Sequence, residues 1–228
     1  MRIAIIPARG GSKRIPRKNI KDFHGKPMIS YSIEAAKNSG CFDKIIVSTD
    51  DIEIAEIAKK WGADVPFIRP KKLSDDYTGT IPVINHAIDL LSIRSGEEIK
   101  QVCCIYATAP FLLSKYIKEG LNKLIQLNCN YAFSATSYDF PLQRAFKVCG
   151  DHIEMLNPEA FNTRSQDLEE YYHDAGQFYW GTPKSWKEGK SFFSGNSIPI
   201  ILPKYLVQDI DNQDDWKRAE LMYATLNK

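Results

Sequence analysis

The sequence predicts an α/β fold in which a mostly parallel sheet carries helices on both of its faces. Short apolar runs rich in β-branched residues alternate with segments of helical period from the first residues onward. Residues that favour helix N-termini, and glycines that favour helix C-termini, lie at the expected ends of the helical segments. The chain has 228 residues, of which 43% are hydrophobic and 25% charged. This length and balance predict one domain, spanning residues 1–228, with a sizeable core.

Strands and helices are predicted to alternate through the first half of the chain. The predicted strands cover residues 3–6, 44–48, 65–68 and 102–106. The predicted helices cover residues 28–39, 80–91 and 114–127, together with a segment after Asp50 and Asp51 that ends at Gly62. Pro27 suits the start of the first helix and Gly40 its end. Such alternation is typical of parallel strands joined by crossover helices.

The regular alternation stops between about Tyr138 and Ala175. This stretch holds two prolines, several charges and isolated aromatic residues, and it has no clear helical period. We therefore expect residues 138–175 to form an insertion, which we call the arm. Regular patterns return with predicted strands at 177–181 and 198–202 and a last helix from about Asn212.

Composition excludes several classes of protein. Thirty basic and 28 acidic residues give a net charge of +2, which indicates neither a nucleic-acid nor a membrane partner. No apolar run approaches the roughly 18 residues needed to cross a bilayer, and the N-terminus is read as a strand rather than a signal peptide. Five cysteines without C-x-x-C spacing argue against a zinc ribbon or a disulfide framework. We expect a soluble protein of the reducing cytoplasm.

A basic, glycine-containing loop follows the first predicted strand. The first 21 residues carry seven basic side chains and no acidic one. Gly10 and Gly11 allow the backbone N–H groups to approach an anion, and Arg9, Lys13 and Lys18 supply positive charge for a triphosphate. The spacing matches neither the P-loop nor the dinucleotide-binding motif. A solvated basic turn and a nucleic-acid contact remain alternatives.

An acidic pair near the C-terminus predicts a second functional feature. Asp209 and Asp211 are spaced i, i+2, so in an extended segment both carboxylates point to one face. Such a pair suits Mg²⁺, which takes one or two carboxylates together with substrate phosphates. In the alternative, Asp211 caps the last helix and Asp209 is solvated. Asp214 and Asp215 are expected in the first turn of that helix.

Several motifs along the chain resemble the CMP-nonulosonic acid synthetases, a family of cytidylyltransferases that activate sialic, legionaminic and pseudaminic acids. These motifs are IIPARGGSKRIPRKNI near the N-terminus, GKPMI at 25–29, VSTDD at 47–51, the RP…SDDYT stretch at 69–78, and DIDNQDDW near the C-terminus. The resemblance covers nearly the whole chain. It implies a Rossmann-like nucleotidyltransferase fold and a homodimer in which the arm completes the partner's sugar pocket.

The resemblance also implies roles for individual residues. Catalytic roles fall on Lys13, Arg9, Lys18 and Asp211. Nucleotide contacts fall on Ala8, Arg9, Gly10, Gly11, Ser12, Lys13, Lys18, Asn19, Thr78 and Thr80. The family's matching D-x-D makes Asp209 and Asp211 the Mg²⁺ ligands. The implied substrates are CTP and a nonulosonic acid, with no nucleic acid or membrane.

Two segments differ from the sialic acid enzymes and look like the pseudaminic acid cytidylyltransferases. They are YATAP at 106–110 and YHDAGQFYWG at 172–181. An anionic, polyhydroxylated sugar needs a basic group for its carboxylate and neutral donors. The candidate sugar contacts are Tyr106, Gln143, Arg144, Arg164, Gln166, His173 and Gln177, with an ordinary surface role as the alternative. His173 and Asp174 are not expected to form a dyad, because neighbours in an extended chain point to opposite faces.

The expected reaction transfers CMP from CTP to the anomeric hydroxyl of pseudaminic acid, with release of pyrophosphate. Legionaminic or sialic acid as the acceptor is the near alternative. A non-catalytic protein that binds a nucleotide or a nucleic acid through the basic loop is the alternative from a different class.

Overall fold

A six-stranded sheet forms the centre of the protein in the computed structural model, which describes residues 1–226. The strands are β1 (Arg2–Pro7), β2 (Asp22–Phe23), β3 (Lys26–Pro27), β4 (Lys44–Ser48), β5 (Gln101–Ile105), β6 (Tyr131–Ser137), β7 (Phe146–Cys149), β8 (His152–Met155), β9 (Tyr172–Gly181) and β10 (Ser197–Ile201). The α-helices are α1 (Met28–Ser39), α2 (Ile52–Lys60), α3 (Thr80–Ser95), α4 (Ser114–Gln126), α5 (Pro183–Lys187) and α6 (Gln213–Leu226).

The strand order in the main sheet is β10-β6-β9-β5-β1-β4. Only β9 runs antiparallel to its neighbours, β5 and β6, while the other neighbouring pairs of this sheet are parallel. The predicted mostly parallel sheet is thereby confirmed. Within residues 1–226, no helix combines the length and apolar character needed to cross a membrane.

Helices cover both faces of the sheet, as the alternation of β1 requires. Ala4 and Ile6 belong to a buried cluster with residues of α1, α2 and α4. Ile3 and Ile5 belong to a second cluster on the other face, with residues of α3 and α5. Because successive strand residues point to opposite faces, one apolar strand supplies both cores. A third cluster packs α6 against Phe23 and the start of α1.

The predicted strand at 65–68 is wrong. Only two isolated bridges form there, from Asp64 to Ile46 and from Ile68 to Thr49. Pro66 lies between them and has no N–H to donate to a ladder, so continuous pairing is lost. The helix predicted after Asp50 and Asp51 is present, and the Asp51 side chain caps it by accepting from the backbone N–H of Ile54.

Three strands of four or more residues were absent from the sequence prediction. Central β6 is buried almost throughout, yet its sequence YAFSATS has neither the alternation of a half-buried strand nor a run of β-branched residues. Strands β7 and β8 form a short hairpin within the arm. Strand β9 is also longer than predicted, since it begins at Tyr172 and takes up the last residues of the arm.

Candidate functional site

A cleft of about 510 Å³ lies beyond the carboxyl end of β1, where the fold class predicts a ligand site. Many of the residues proposed from the sequence line it together. They are Arg9, Ser12, Lys13, Lys18, Asn19, Thr78, Thr80, Tyr106 and Asp211. Ala8, Gly10 and Gly11 do not line this cleft: Ala8 is buried and continues the ladder to Ser48, and Gly11 is exposed.

Gly10 brings the basic loop against the start of α2. Its N–H donates to Asp50 Oδ1 at 3.0 Å, and a Cβ placed on Gly10 would lie 2.7 Å from Asp51 Oδ2. Asn19 donates to the carbonyl oxygen of Arg9 at 3.0 Å and thereby closes the loop. The close approach explains why glycine is needed at position 10.

Arg17 fixes the far side of the loop. Its backbone is left-handed, with φ of 56°, and its guanidinium donates two hydrogen bonds to Asp51, at 2.5 and 3.0 Å. The hydrogen bond from Arg17 is the largest of the effects that lower the pKa of Asp51. Asp51 therefore joins two elements, since the same carboxylate also caps α2.

Acidic side chains neutralise the cations of the cleft. Asp76 pairs with Arg9 at 2.6 Å and with Lys13 at 2.5 Å. Asp211 lies 3.0 Å from Arg14 and 3.8 Å from Lys18. Burial is the main reason that the pKa of Lys18 is lowered, and the Asp211 charge opposes it. These cations are placed to bind a polyanion.

Four charged residues of this cleft were not proposed from the sequence. They are Arg14, Arg69, Asp75 and Asp76. Arg69 is 4% exposed and donates to Ser74 Oγ at 3.0 Å, so it is a buried cation beside the cleft. The sequence did contain a signal that could have identified three of these four residues. Arg69, Asp75 and Asp76 lie in the RP…SDDYT stretch that carries the family resemblance.

The acidic pair lies at the boundary between the cleft and a second cavity. Asp211 lines the cleft, and Asp209 lines the second cavity. Burial and the Asp211 charge raise the pKa of Asp209, with burial the larger effect. Asn212 Oδ1 accepts from the N–H groups of Asp214 and Asp215, so Asn212 caps α6 and the capping role considered for Asp211 is not seen.

This pair suits Mg²⁺ better than a metal held by protein ligands alone. Residues 1–226 contain no group of three or more His, Cys, Asp or Glu side chains placed to hold a metal. Mg²⁺ needs only one or two carboxylates when phosphates and waters complete its shell. The repulsion that helps to raise the pKa of Asp209 is the kind that a divalent cation between two carboxylates removes.

The second cavity, of about 430 Å³, shares Tyr106 with the cleft. His173 also lines it, as do Lys204 and Arg218, which were not proposed from the sequence. Gln177 is buried and does not line it; its backbone oxygen accepts from the N–H of Tyr106 at 2.9 Å. The side chain of Gln177 instead donates to the Leu206 carbonyl at 2.6 Å.

His173 and Asp174 do not form a dyad, as expected. A ring nitrogen of His173 lies 2.9 Å from the backbone oxygen of Asp174 rather than from its carboxylate. The carboxylate accepts instead from the hydroxyl of Tyr179 and from the N–H of Gly176.

Five of the proposed sugar contacts lie on the arm, and four of these, all except His173, line neither the cleft nor the second cavity of their own chain. Gln143 donates to the Glu169 carbonyl at 2.8 Å, and Arg144 donates to Thr163 and Ser165. Arg164 is paired with Asp167 at 2.7 Å, and its side chain is 74% exposed. Gln166 lines a separate hollow within the arm. The structure thus divides the proposed sugar contacts into three groups: those that line the second cavity, the buried Gln177, and the four arm residues outside both cavities.

The arm exposes several large apolar side chains. Its large apolar side chains that are more than half exposed are Phe140, Phe146, Val148, Ile153, Leu156 and Phe161. Several large apolar side chains exposed on one segment are a common feature of interaction sites.

The chain is similar in sequence to known cytidylyltransferases. Residues 3–181 match the family model described as "Cytidylyltransferase". The chain is 48% identical over 222 residues to the pseudaminic acid cytidylyltransferase of Campylobacter jejuni, covering 97% of this chain and 95% of that protein. It is 35% identical over 230 residues to the CMP-N,N'-diacetyllegionaminic acid synthase of Legionella pneumophila, covering 96% and 94%.

Solved structures with low sequence identity share the fold. A CMP:2-keto-3-deoxy-manno-octonic acid synthetase complexed with CTP matches with a TM-score of 0.69 at 14% identity, covering 99% of both chains. The 4-diphosphocytidyl-2C-methyl-D-erythritol synthase of Anaerococcus prevotii matches with a TM-score of 0.66 at 14% identity, covering 100% of this chain and 96% of that one.

Proposed function

The chain belongs to the cytidylyltransferase family, and within it we propose that the acceptor is pseudaminic acid and the donor CTP. The anomeric hydroxyl of the sugar attacks the α-phosphorus, pyrophosphate leaves, and CMP-pseudaminic acid forms. One observation carries this proposal: a basic cleft and a second cavity meet at Tyr106, with a carboxylate pair at their boundary. The 48% identity to a pseudaminic acid cytidylyltransferase over nearly the whole chain supports this choice of acceptor.

The cations of the cleft are suited to hold the triphosphate. Arg9, Lys13, Lys18 and Arg14 surround the space beside the basic loop. Positive charge placed before the reaction stabilises the charge that builds on a departing pyrophosphate. Catalysis by positioning and charge needs no covalent intermediate, and no nucleophile–base pair is required of this site.

Asp209 and Asp211 are the proposed ligands of Mg²⁺. When bound, this ion neutralises phosphate charge and favours ionisation of a nearby hydroxyl. Asp211 lines the cleft and Asp209 lines the second cavity, which supports a metal site between the two proposed substrates. Arg14 and Lys18 hold Asp211 in this position.

The second cavity is the proposed acceptor site. Lys204 and Arg218 supply the positive charge that a sugar carboxylate requires, and His173 supplies a ring N–H or an acceptor. Arg164 is a proposed contact with the sugar held by a second copy of the chain, because it lies on the arm and outside the cavities of its own chain.

A homodimer built through the arm is part of this proposal. The arm exposes large apolar side chains, which a second copy would bury. Charge also favours the pairing: the arm holds eight acidic and three basic residues, whereas the rest of the chain holds 20 acidic and 27 basic residues. An acidic arm is thus attracted to the basic body of another copy.

A panel of acceptors tests the function. The purified protein is incubated with CTP and Mg²⁺ and with pseudaminic, legionaminic or N-acetylneuraminic acid, and CMP-sugars are measured by mass spectrometry beside pyrophosphate release. We expect the highest kcat/KM with pseudaminic acid and no product when Mg²⁺ is chelated. Equal use of another acid would move the acceptor assignment to that acid. CTP binding without any product would favour the non-catalytic alternative.

The carboxylate pair is tested separately. In Asp211→Ala, Mg²⁺-dependent turnover should fall by about 100-fold or more, and Asp209→Ala should also be impaired. Asp214→Ala, which changes an exposed carboxylate in the first turn of α6, is the control. Retention of normal turnover by Asp211→Ala would place the metal site elsewhere.

A further inference from the structure

One carboxylate at the start of α6 is hydrogen-bonded to the backbone on both sides of Asp211. The Oδ2 atom of Asp215 accepts from the N–H of Asp211 and from the N–H of Asn212, each at 3.0 Å. These two N–H groups belong to the peptide units before and after the Cα of Asp211. Because one oxygen holds both, the backbone that carries the Asp211 side chain is fixed in direction.

The peptide unit before Asp211 is held at its oxygen as well as at its nitrogen. Lys18 Nζ donates to the carbonyl oxygen of Ile210, which shares this peptide unit with the N–H of Asp211. Ile210 is fully buried in the cluster that packs α6 against Phe23. A peptide unit is planar, so Lys18 and Asp215 together fix its orientation from opposite edges.

Asp215 is itself attached to a rigid element. It is the third residue of α6, and Asn212 Oδ1 accepts from its N–H at 3.0 Å and from that of Asp214 at 2.8 Å. Asn212 and Asp215 thus hold each other's N–H groups, which is the reciprocal arrangement of a capping box. The next residue, Trp216, is 2% exposed, and its ring packs edge-on against Phe23 with the centroids 5.5 Å apart. The carboxylate that holds Asp211 therefore belongs to a helix start that is anchored in the core.

Asp215 is not placed to bind a metal directly. It lines neither the cleft nor the second cavity. Within residues 1–226, no three His, Cys, Asp or Glu side chains are grouped to hold a metal, so Asp215 does not add a third ligand to Asp209 and Asp211. Its Oδ2 atom already accepts two hydrogen bonds from the backbone. What Asp215 contributes is the position of Asp211.

We propose that Asp215 is a positioning residue that fixes Asp211 as a metal ligand before the metal binds. Mg²⁺ requires near-octahedral coordination, so a carboxylate that is already in place loses little freedom on binding. The ion pairs with Arg14 and Lys18 hold the side chain of Asp211, whereas Asp215 holds its backbone. This inference rests on the proposed function, because it concerns the metal pair proposed there.

Binding of Mn²⁺ measures the effect without turnover. Mn²⁺ takes the same kinds of oxygen ligand as Mg²⁺, and its binding is followed by electron paramagnetic resonance with CTP present and the sugar omitted. In Asp215→Ala, the dissociation constant for Mn²⁺ should rise about 10-fold, the lower end of the range for residues that orient a metal ligand. Asp215→Asn keeps an oxygen that accepts hydrogen bonds, so its dissociation constant should stay within about threefold of the wild-type value.

Two neighbouring residues provide matched controls. Asn212→Ala removes the other half of the capping box but leaves the N–H of Asp211 on Asp215, so it should destabilise α6 without weakening Mn²⁺ binding. Asp214→Ala removes an equal charge from the same turn at an exposed position, and it should also leave Mn²⁺ binding unchanged. Urea unfolding gives the stability of each variant, and Asn212→Ala and Asp215→Ala should be destabilised to a similar extent.

Amide hydrogen exchange of the free protein separates the positioning of Asp211 from metal binding. In Asp215→Ala, the amide of Asp211 should exchange about 10-fold faster, because a hydrogen bond to a charged acceptor is lost. Asp214→Ala should leave this amide unchanged. Asp215→Ser serves if Asp215→Ala folds poorly, since its shorter side chain keeps a hydroxyl in the first turn without reaching both N–H groups.

Several outcomes would overturn the inference. Normal Mn²⁺ binding by a folded Asp215→Ala protein would show that Asp211 does not depend on Asp215. Equal weakening in Asn212→Ala would attribute the effect to helix stability, and a loss in Asp215→Asn as large as in Asp215→Ala would attribute it to charge. Failure of the wild-type protein to bind Mn²⁺ in the presence of CTP would remove the proposed metal site and this inference with it, whereas normal wild-type binding with unaffected variants would remove only the inference.

Discussion

The basic loop and the arm differ in the contacts that stabilise them. The loop is held by its own chain: Gly10 is hydrogen-bonded to Asp50, Arg17 to Asp51, and Asn19 closes the turn. The arm has a two-stranded hairpin, β7 and β8, and it leaves Phe140 83% and Val148 73% exposed. An isolated hairpin of two strands is marginally stable in water.

This difference indicates which copy of the chain supplies the proposed nucleotide site and which supplies the proposed sugar contacts. The cleft proposed for the nucleotide, and the contacts that shape it, lie within one chain. The sugar side combines a cavity of this chain with proposed contacts from the arm of another copy. We therefore expect changes in the loop to affect chemistry or folding directly, and changes within residues 140–170 of the arm to act through assembly.

The largest effect is expected when the arm is removed. Replacement of about residues 140–170 by a short linker should give a monomer with little or no sugar turnover, because the apolar surface and the proposed contacts in trans are lost together. Light scattering measures the assembly, and CTP binding should persist. A wild-type protein that is monomeric at working concentration would contradict this expectation.

A point substitution on the arm tests whether its hairpin forms the dimer interface. Val148→Glu should weaken dimerisation by placing a charge in an apolar contact. Ile93→Glu is the control, since Ile93 is 80% exposed on α3, outside the arm. Equal dimer dissociation constants for the two variants would argue against an interface at this hairpin.

Lys13→Ala tests the loop at its most exposed cation. The Lys13 side chain is 81% exposed, so folding should be unchanged, whereas turnover at saturating CTP should fall by about 100-fold through lost charge stabilisation. Lys118→Ala, at an exposed position on α4, is the control. A folded Lys13→Ala protein with near-normal turnover would exclude the proposed role.

Gly10→Ala should destabilise the fold itself. The added Cβ would meet Asp51 Oδ2 at 2.7 Å, and overpacking of this kind costs about 1–3 kcal/mol. Gly11→Ala is the matched control, because nothing lies within 4 Å of the corresponding Cβ. Urea unfolding measures both variants. Equal stabilities would show that the loop is less tightly fastened than its contacts indicate.

The smallest effect concerns acid stability. Arg17 lowers the pKa of Asp51 in the folded state, so this pair stabilises the fold above the unfolded pKa of about 4 and loses its contribution as pH falls through the lowered folded pKa. Arg17→Gln should therefore reduce the unfolding free energy at pH 7 by about 1 kcal/mol or less, and the difference from wild type should shrink toward pH 2. A difference independent of pH would contradict this assignment.

The sequence predicted those features that depend on residues close together in the chain. The Asp51 cap and the placement of Arg9, Lys13 and Lys18 around one cleft follow from short-range rules. Strand β6 was not predicted. A strand that is buried almost throughout needs no alternation of apolar and polar residues, so its sequence gives no such signal. The ion pairs of Asp76 with the loop join residues more than 60 positions apart, and spacing alone does not reveal such contacts.

The sugar contacts show the same limit. Tyr106 and His173 were predicted and line the second cavity, whereas Arg218 was not, because an arginine on α6 looks like any solvated helical residue. Gln143 and Arg144 were chosen because a sugar acid needs neutral donors and a basic group, and in the structure they are hydrogen-bonded to other parts of the arm. Their role toward a second copy stays a prediction.

Asp76 is a counter-ion fixed to the chain beside the proposed nucleotide site. Its carboxylate is ion-paired with both Arg9 and Lys13, so the charges of these two cations are already partly neutralised before any anion enters. Under the proposed function, a triphosphate has to take the place of this carboxylate, and the several charges that it offers at once suit it to do so.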